Sequence, residues 1–290
     1  MEISAVPQFT IATPSFRSSD WLRLCISSVA DQAGVTFEHI VQDAGSDDGT
    51  LEWLLNDPRV QAILEKDSGM YDAVNRAWRR ARGEYLAYLN CDEQYLPGAL
   101  KMVADYFAAH SEVDIVFGNA VIINGDGEYQ FHRKILRPTL YHTWVCHLAT
   151  LTCATFVRRS FFERHDLYFN SRFRDCGDAE WMVRALKCGA RTATIGKFLA
   201  AFGDTGVNMS TKPNAADERR ELTRSAPAWS RSLGPLIVGL HRIRRAMAGV
   251  YVQKPFDYSV FTRSSHGRRR AFHANSPTFR WRLGSEAANA

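Results

Sequence analysis

Acidic side chains at two places in this chain of 290 residues have the spacing to do chemistry. The first place is Gly83-Glu84-Tyr85-Leu86-Ala87-Tyr88-Leu89-Asn90-Cys91-Asp92-Glu93, a short apolar run that ends abruptly in polar and acidic residues. Along extended backbone, residues two apart point the same way, so Asn90 and Asp92 share a side. Hard carboxylate oxygens at a strand end suit a divalent cation that in turn holds phosphates. The same residues also fit a solvated turn with an acidic lead-in to the helix expected over 97–110. The second place is Arg174-Asp175-Cys176-Gly177-Asp178-Ala179-Glu180-Trp181-Met182-Val183-Arg184. Glycine followed by Asp178 at a helix start sets a carboxylate over positive amide dipoles, a reactive acid or a plain helix cap. Cys188-Gly189 then supplies a glycine stop.

Such acids need a scaffold that delivers strand ends into one crevice, as an open α/β sheet does at its carboxyl edge. Residues 8–12 predict a first strand, which turn chemistry at Thr13-Pro14-Ser15 ends. Ser18 or Ser19 can cap a helix carrying Leu22, Cys25, Ile26 and Val29 at helical spacing. Residues 37–41 and 60–64 predict the second and third strands. Polar loops follow both, then helices over 50–55 and 71–82. Four strand–loop–helix units in succession predict an α/β fold with a mostly parallel, doubly wound sheet. Farther on, 114–118 reads as a strand and 120–134 as a hairpin around Asn124-Gly125-Asp126-Gly127. Neither GxGxxG nor GxxxxGK[ST] occurs, which argues against a dinucleotide dehydrogenase and a P-loop NTPase. The loops offer acids and hydroxyls to a ligand, and such a site would use a cation to hold phosphate.

Four segments in register resemble family 2 glycosyltransferases, above all the bacterial branch that builds exopolysaccharide and lipopolysaccharide. They are Thr13-Pro14-Ser15, the loop Asp43-Ala44-Gly45-Ser46-Asp47-Asp48-Gly49-Thr50, the stretch Asp67-Ser68-Gly69-Met70-Tyr71-Asp72-Ala73-Val74-Asn75, and the run from Gly83 to Glu93. The resemblance covers about residues 7–210. It implies a GT-A fold, a nucleotide-sugar donor that is usually UDP-linked, a Mn²⁺ or Mg²⁺ ion, and transfer with inversion at the anomeric carbon. Thr13, Pro14 and Ser15 then resemble the first nucleotide contacts. Asp43 resembles the acid that accepts from the base, or closes an Asx-turn. Asp67 resembles a nucleotide contact at the third strand's end. Asp72 and Asn75 match the family's Tyr-Asp-Ala-x-Asn helix start, where Asp72 equally suits the helix dipole. Asn90-Cys91-Asp92 stands where the family carries DxD: Asp92 keeps the metal-ligand position, and Asn90 replaces the acid that touches ribose. Glu93 is expected at the rim, with a second metal ligand as the alternative. Asp178 occupies the general-base position, and 203–210 resembles a loop that closes over the donor, or a surface turn.

Charge divides the chain. Residues 219–290 hold 14 Lys/Arg against 3 Asp/Glu, which leaves 1–218 acidic beneath a formal total of +5. The expected organisation is a catalytic domain over 1–212, with a nucleotide-binding half of about 7–118 and an acceptor half of about 119–212, then a basic extension over 213–290. Within it 236–251 predicts an amphipathic helix with Leu236, Ile237, Leu240, Ile243 and Met247 on one face, suited to an anionic membrane surface or to packing on the catalytic domain. Acceptors in the resembled branch are glycans or lipid-linked glycans. Nucleic acid is not an expected partner, since the body is acidic and recognition motifs are missing. Met1 to Pro7 lacks a leader pattern, no apolar window spans a membrane, and six cysteines lie without CxxC spacing, so a cytoplasmic place, peripheral to the inner membrane face, is expected. The rival readings are a sugar-nucleotide pyrophosphorylase, for which Arg17 without nearby glycine is a poor nucleotide loop, and a non-catalytic nucleotide-sugar-binding module, which Asn90 would allow.

Overall fold

Apolar runs set between polar loops become a β/α series. In the computed structural model, which describes residues 6–204, 213–265 and 267–279, β1 (Phe9–Ser15) leads through α1 (Ser19–Ala30) to β2 (Phe37–Asp43). Then come α2 (Thr50–Leu54), β3 (Gln61–Leu64), α3 (Met70–Arg79) and β4 (Tyr85–Tyr88). These four strands pair in parallel in the order β3-β2-β1-β4, each return to the sheet using a helical crossover. β4 is buried along its whole length, which is why Tyr-Leu-Ala-Tyr shows no apolar–polar alternation.

The second half adds β5 (Glu93–Tyr95), α4 (Ala99–Ala109), β6 (Ile115–Ile123), β7 (Tyr129–Arg133), α5 (Leu140–Val145), β8 (Thr155–Arg158), α6 (Arg159–Arg164), α7 (Gly177–Lys187) and β9 (Thr192–Gly203). The sheet continues β4-β8-β6-β9-β5, with β7 also on β6. It becomes mixed here: β8 runs antiparallel to β4 and β6, whereas β6 and β9 are parallel. Two apolar layers sandwich it. Phe9, Ile11, Val29, Val103 and Phe107 fill one side, and Ile40, Val74, Trp78, Phe162 and Met182 the other. Each such side chain, fully buried, contributes roughly 1.5–3 kcal/mol.

Three local expectations change. The first strand runs on through Thr13, Pro14 and Ser15, with Pro14 and Ser15 paired to Gln42 and Asp43 of β2. Proline is tolerated because the β1–β4 ladder has already stopped at Ala12 and Tyr88. The strand expected at 114–118 and the first arm of the hairpin are one continuous strand, β6, and it is β9 beside it that bulges past Gly118 and Asn119. Neither Ser18 nor Ser19 caps α1 with its side chain. The Ser19 N–H instead donates to an Asp48 carboxylate oxygen at 3.2 Å, a partner 29 residues on that no local pattern reveals.

The basic extension is folded onto this body. It forms α8 (Pro213–Arg224), α9 (Ala228–Ser232), α10 (Gly234–Met247) and an antiparallel hairpin of β10 (Phe256–Phe261) and β11 (Arg269–Ala274). Gln94 clamps the hairpin by two hydrogen bonds to the Phe261 backbone, both 2.8 Å, and Tyr258 and Val260 join Val121 and Ile123 in a small core. α10 turns Leu236, Leu240, Ile243 and Met247 to solvent, whereas Ile237 is half-buried. No helix among the described residues is long and apolar enough to cross a membrane.

One buried group gives the fold a pH signature. His39 on β2 is 3% exposed, its Nε2 hydrogen-bonded to the Thr13 hydroxyl at 2.8 Å and its Nδ1 without a partner. Burial lowers its pKa from 6.5 to about 3. Below pH 6.5 the unfolded chain takes up a proton that the folded chain refuses until near pH 3, so stability is lost as pH falls through that window. At about 1.4 kcal/mol per pH unit the loss from His39 between pH 7 and pH 5 is roughly 2 kcal/mol. Urea unfolding at the two pH values should show that decrement shrink by this amount in His39→Leu. An unchanged decrement would refute the assignment.

Candidate active site

Chain leaving β4 turns at once through Asn90, Cys91 and Asp92 into β5. The turn is tied by Glu93 N–H to the Asn90 carbonyl (3.1 Å) and by Asn90 N–H to a Glu93 carboxylate oxygen (2.7 Å). β9 passes so near that a Cβ on Gly203 would stand 2.5 Å from the Asp92 carbonyl oxygen, which makes glycine necessary there. Asp92 faces a cavity of about 1120 Å³. Glu93 is a correction to the expected rim position: it is 0% exposed, with Oε1 lacking any partner. Burial raises the pKa of both acids, and the Asp92 charge pushes Glu93 up further. Neither forms a salt bridge among the described residues. A half-buried acid that faces the cavity, beside a fully buried one with an orphaned carboxylate oxygen, neither with a cationic partner among the described residues, fits a hard divalent cation.

Asp178 lines the same cavity from the first turn of α7. Its position is set from three sides. Gly177 lies under the Tyr71 ring, where a Cβ would come within 2.6 Å of Tyr71 Cε2, and Tyr71 itself stacks on Phe169. The Asp178 N–H donates to the Tyr71 hydroxyl at 3.1 Å, and its Oδ1 accepts from Ala179 N–H at 2.8 Å. The loop before it is pinned by Glu218 of α8, whose carboxylate accepts from the N–H groups of Arg174 (2.6 Å), Asp175 (2.9 Å) and Cys176 (2.8 Å). Burial raises the Asp178 pKa, while the Ala179 N–H, the Arg219 charge and the Tyr71 hydroxyl oppose it. The result is a carboxylate that is more basic than usual.

Of the residues singled out in the sequence, Asn90, Cys91, Asp92 and Asp178 meet in this cavity. Pro14, Ser15 and Asp67 line an adjoining cleft of about 380 Å³, joined to it at Met70. The others turn away. Thr13 is 0% exposed and spends its hydroxyl on His39, so it holds β1 to β2 rather than facing a ligand. Asn75 is corrected likewise: its amide donates to the Phe169 carbonyl and accepts from the Phe169 N–H, both at 2.8 Å. Asp43, 1% exposed, takes the N–H groups of Gly45 and Ser46 and the hydroxyls of Ser15 and Ser46, the Asx-turn alternative. Asp72 accepts from Ser68 and Arg76 at the start of α3. The cavity also gathers residues the sequence did not mark, Tyr71, Arg219 and Arg263. Tyr71 could have been suspected from its place in the third matched segment. The two arginines could not, being counted as part of a basic extension. Gly203 and Asp204 are described, but 205–210 of the expected closing loop lies outside the described residues.

Comparison with known proteins gives the family and the fold. The model of glycosyl transferase family 2 matches residues 10–194. A PGL/p-HBAD biosynthesis glycosyltransferase of Mycobacterium bovis is 28% identical over 222 residues, which are 71% of this chain and 81% of that protein. Among solved structures, S. aureus TarS 1-349 in complex with UDP-GlcNAc superposes with a TM-score of 0.63 at 19% identity, covering 83% of this chain and 73% of that one. The mannosyltransferase PcManGT from Pyrobaculum calidifontis, in complex with GDP-Man and Mn²⁺, gives 0.53 at 17% identity, covering 86% and 77%. Both likenesses speak for the fold, a curled mixed sheet of the GT-A type. Since the family match takes in every strand from β1 through β8 and well over half of the chain, this protein belongs to glycosyl transferase family 2.

Proposed function

We propose that the protein transfers a sugar from a UDP-linked donor to a hydroxyl of a glycan or lipid-linked glycan, with inversion, in cell-surface polysaccharide assembly. The observation that carries this reading is that Asp92 and Asp178 open into one cavity of about 1120 Å³. Asp178 takes the proton of the acceptor hydroxyl as its oxygen bonds to the anomeric carbon and the bond from that carbon to the diphosphate breaks. A carboxylate whose pKa burial has raised is better matched to this transfer than an ordinary aspartate. Tyr71 and Gly177 fix its direction, and position supplies much of the rate.

Asp92, with Glu93 behind it, would hold Mn²⁺ or Mg²⁺, which when bound neutralises charge on the departing diphosphate. Asn90 reaches a ribose hydroxyl, and Pro14, Ser15 and Asp67 form the nucleoside cleft. Asp43 serves by shaping the loop beside that cleft. The catalytic unit runs past residue 212 into α8, because Glu218 and Arg219 complete the Asp178 side of the site. The UDP-GlcNAc complex of TarS supports the donor class, and the Mn²⁺ complex of PcManGT supports the cation. A cytoplasmic protein lying on the inner membrane face fits α10, whose exposed Leu236, Leu240, Ile243 and Met247 run beside Arg242, Arg244 and Arg245.

A thermal-shift panel of UDP, GDP and ADP with and without Mn²⁺ tests the reading. A ligand at 100 times its Kd stabilises the folded state by about 2.7 kcal/mol, which at this chain length is a rise of roughly 5–10 °C. The expected result is such a rise for UDP only when Mn²⁺ is present. No shift with any nucleotide would overturn the proposal, and preference for GDP would overturn the donor assignment.

A further inference from the structure

Beside the catalytic cavity lies a second one of about 300 Å³, and the two share His147, Leu148, Thr150 and Leu151. Among the described residues its charged and titratable lining is entirely basic: Arg133, Lys134, His147, His241 and Arg245, with no carboxylate. His241, on the buried side of α10, is 5% exposed, and neither ring nitrogen has a partner. Against it lies His142 of α5, 1% exposed, its Nε2 also without a partner. The two rings stack with centroids 3.7 Å apart and planes 19° from parallel.

Three histidines whose nitrogens approach within 4.8 Å of one another, His142, His147 and His241, suggest a transition-metal site. Two physical facts oppose it. Lone pairs lie in the ring plane, and two rings stacked nearly parallel at 3.7 Å cannot both aim a lone pair at one ion. The charged groups facing the cluster are Arg133, Arg219, Arg244 and Arg245, all of one sign. Burial first, then the neighbouring histidines and arginines, holds His142 at a pKa of about 3 and His241 at about 4, so both rings stay neutral. Among the described residues Arg219, Arg244 and Arg245 form no salt bridge. A cavity with this much positive charge lacks an anion, not a cation.

We propose that this basic cavity binds an anionic group of the phosphate class carried by the acceptor, holding it while the acceptor's hydroxyl reaches Asp178 in the adjoining cavity. The proposal rests on the glycosyltransferase reading and adds the chemical class of its acceptor. Arg245 and Lys134 supply charge at the mouth. His241 supplies an unpartnered ring N–H, which the neutral imidazole can donate to an anion. α10, which brings both His241 and Arg245, thereby links the basic extension to acceptor recognition.

The test uses the full chain with UDP and Mg²⁺ saturating the donor site, so that added phosphate cannot be credited to the diphosphate subsite. Titration with inorganic phosphate, followed by calorimetry and by the ring-proton NMR signals of His142 and His241, should show binding that moves those signals. Arg245→Gln and Lys134→Gln should each weaken phosphate binding at least tenfold with UDP affinity unchanged. Competition by phosphatidic acid vesicles would assign the anion to a lipid headgroup, and its absence to a soluble phosphate-bearing acceptor. No phosphate binding, or binding indifferent to both substitutions, would overturn the proposal, as would a Co²⁺ absorption band abolished by His241→Ala. Failure of UDP to bind while phosphate still does would instead strike the glycosyltransferase reading and leave the anion site standing.

Discussion

Asp178→Asn is expected to slow sugar transfer by roughly 10²- to 10⁴-fold, the usual worth of a positioned general base. The substitution keeps the shape of the side chain and an oxygen to accept from Ala179 N–H, so α7 should start as before. Glu218 and Tyr71 hold the surrounding loop through backbone groups that the change does not touch. The melting temperature and its rise with UDP and Mn²⁺ should therefore match those of the parent protein, since Asp178 faces the nucleophile and not the nucleotide. Initial rates with saturating donor, set beside the thermal shift, read both quantities. Full turnover by the variant would remove Asp178 as the base. Loss of the UDP shift together with turnover would show that the side chain supports the fold of the donor site instead.

Asp92→Asn should lower transfer by roughly 10²- to 10³-fold, the range seen when one preorganised electrostatic contact to a developing charge is removed. It should differ from Asp178→Asn in a second readout: the Mn²⁺-dependent part of the UDP thermal shift should vanish. A third readout has the opposite sign from ordinary damage. Asp92, half-buried, and Glu93, fully buried, are neighbouring acids without a cationic partner among the described residues. Removing one charge relieves their repulsion, so the ligand-free variant should melt at the parent temperature or above it. A fall in melting temperature with the cation response intact would mean that Asp92 is a structural residue of the β4–β5 turn.

The β4 run ending at Asp92 and the glycine–aspartate start of α7 are legible along the chain. They depend on local properties, apolar continuity and a helix dipole, and both lie where the residue pattern puts them. Other assignments failed because type and position do not reveal a partner. Thr13 and Asn75 are polar residues at the right spacing, yet His39 and the Phe169 backbone take their hydrogen-bonding groups. Glu93 looks like a rim acid beside Asp92, but the antiparallel pairing of β5 with β9 carries it inside.

By itself the sequence determined the succession of β/α units, the family, and the two acids on which the chemistry is proposed to turn, because periodicity, glycine placement and charge are properties of neighbours along the chain. Only the tertiary structure decided that those acids share a cavity, that Tyr71 and Gly177 aim one of them, and that Glu218, Arg219 and Arg263 arrive from a segment that composition marks off as an appendage. The physical reason is range. A buried polar group must find a partner wherever the fold brings one, and for Arg174–Cys176 the partner stands more than 40 residues away, across a packing interface that no local pattern encodes.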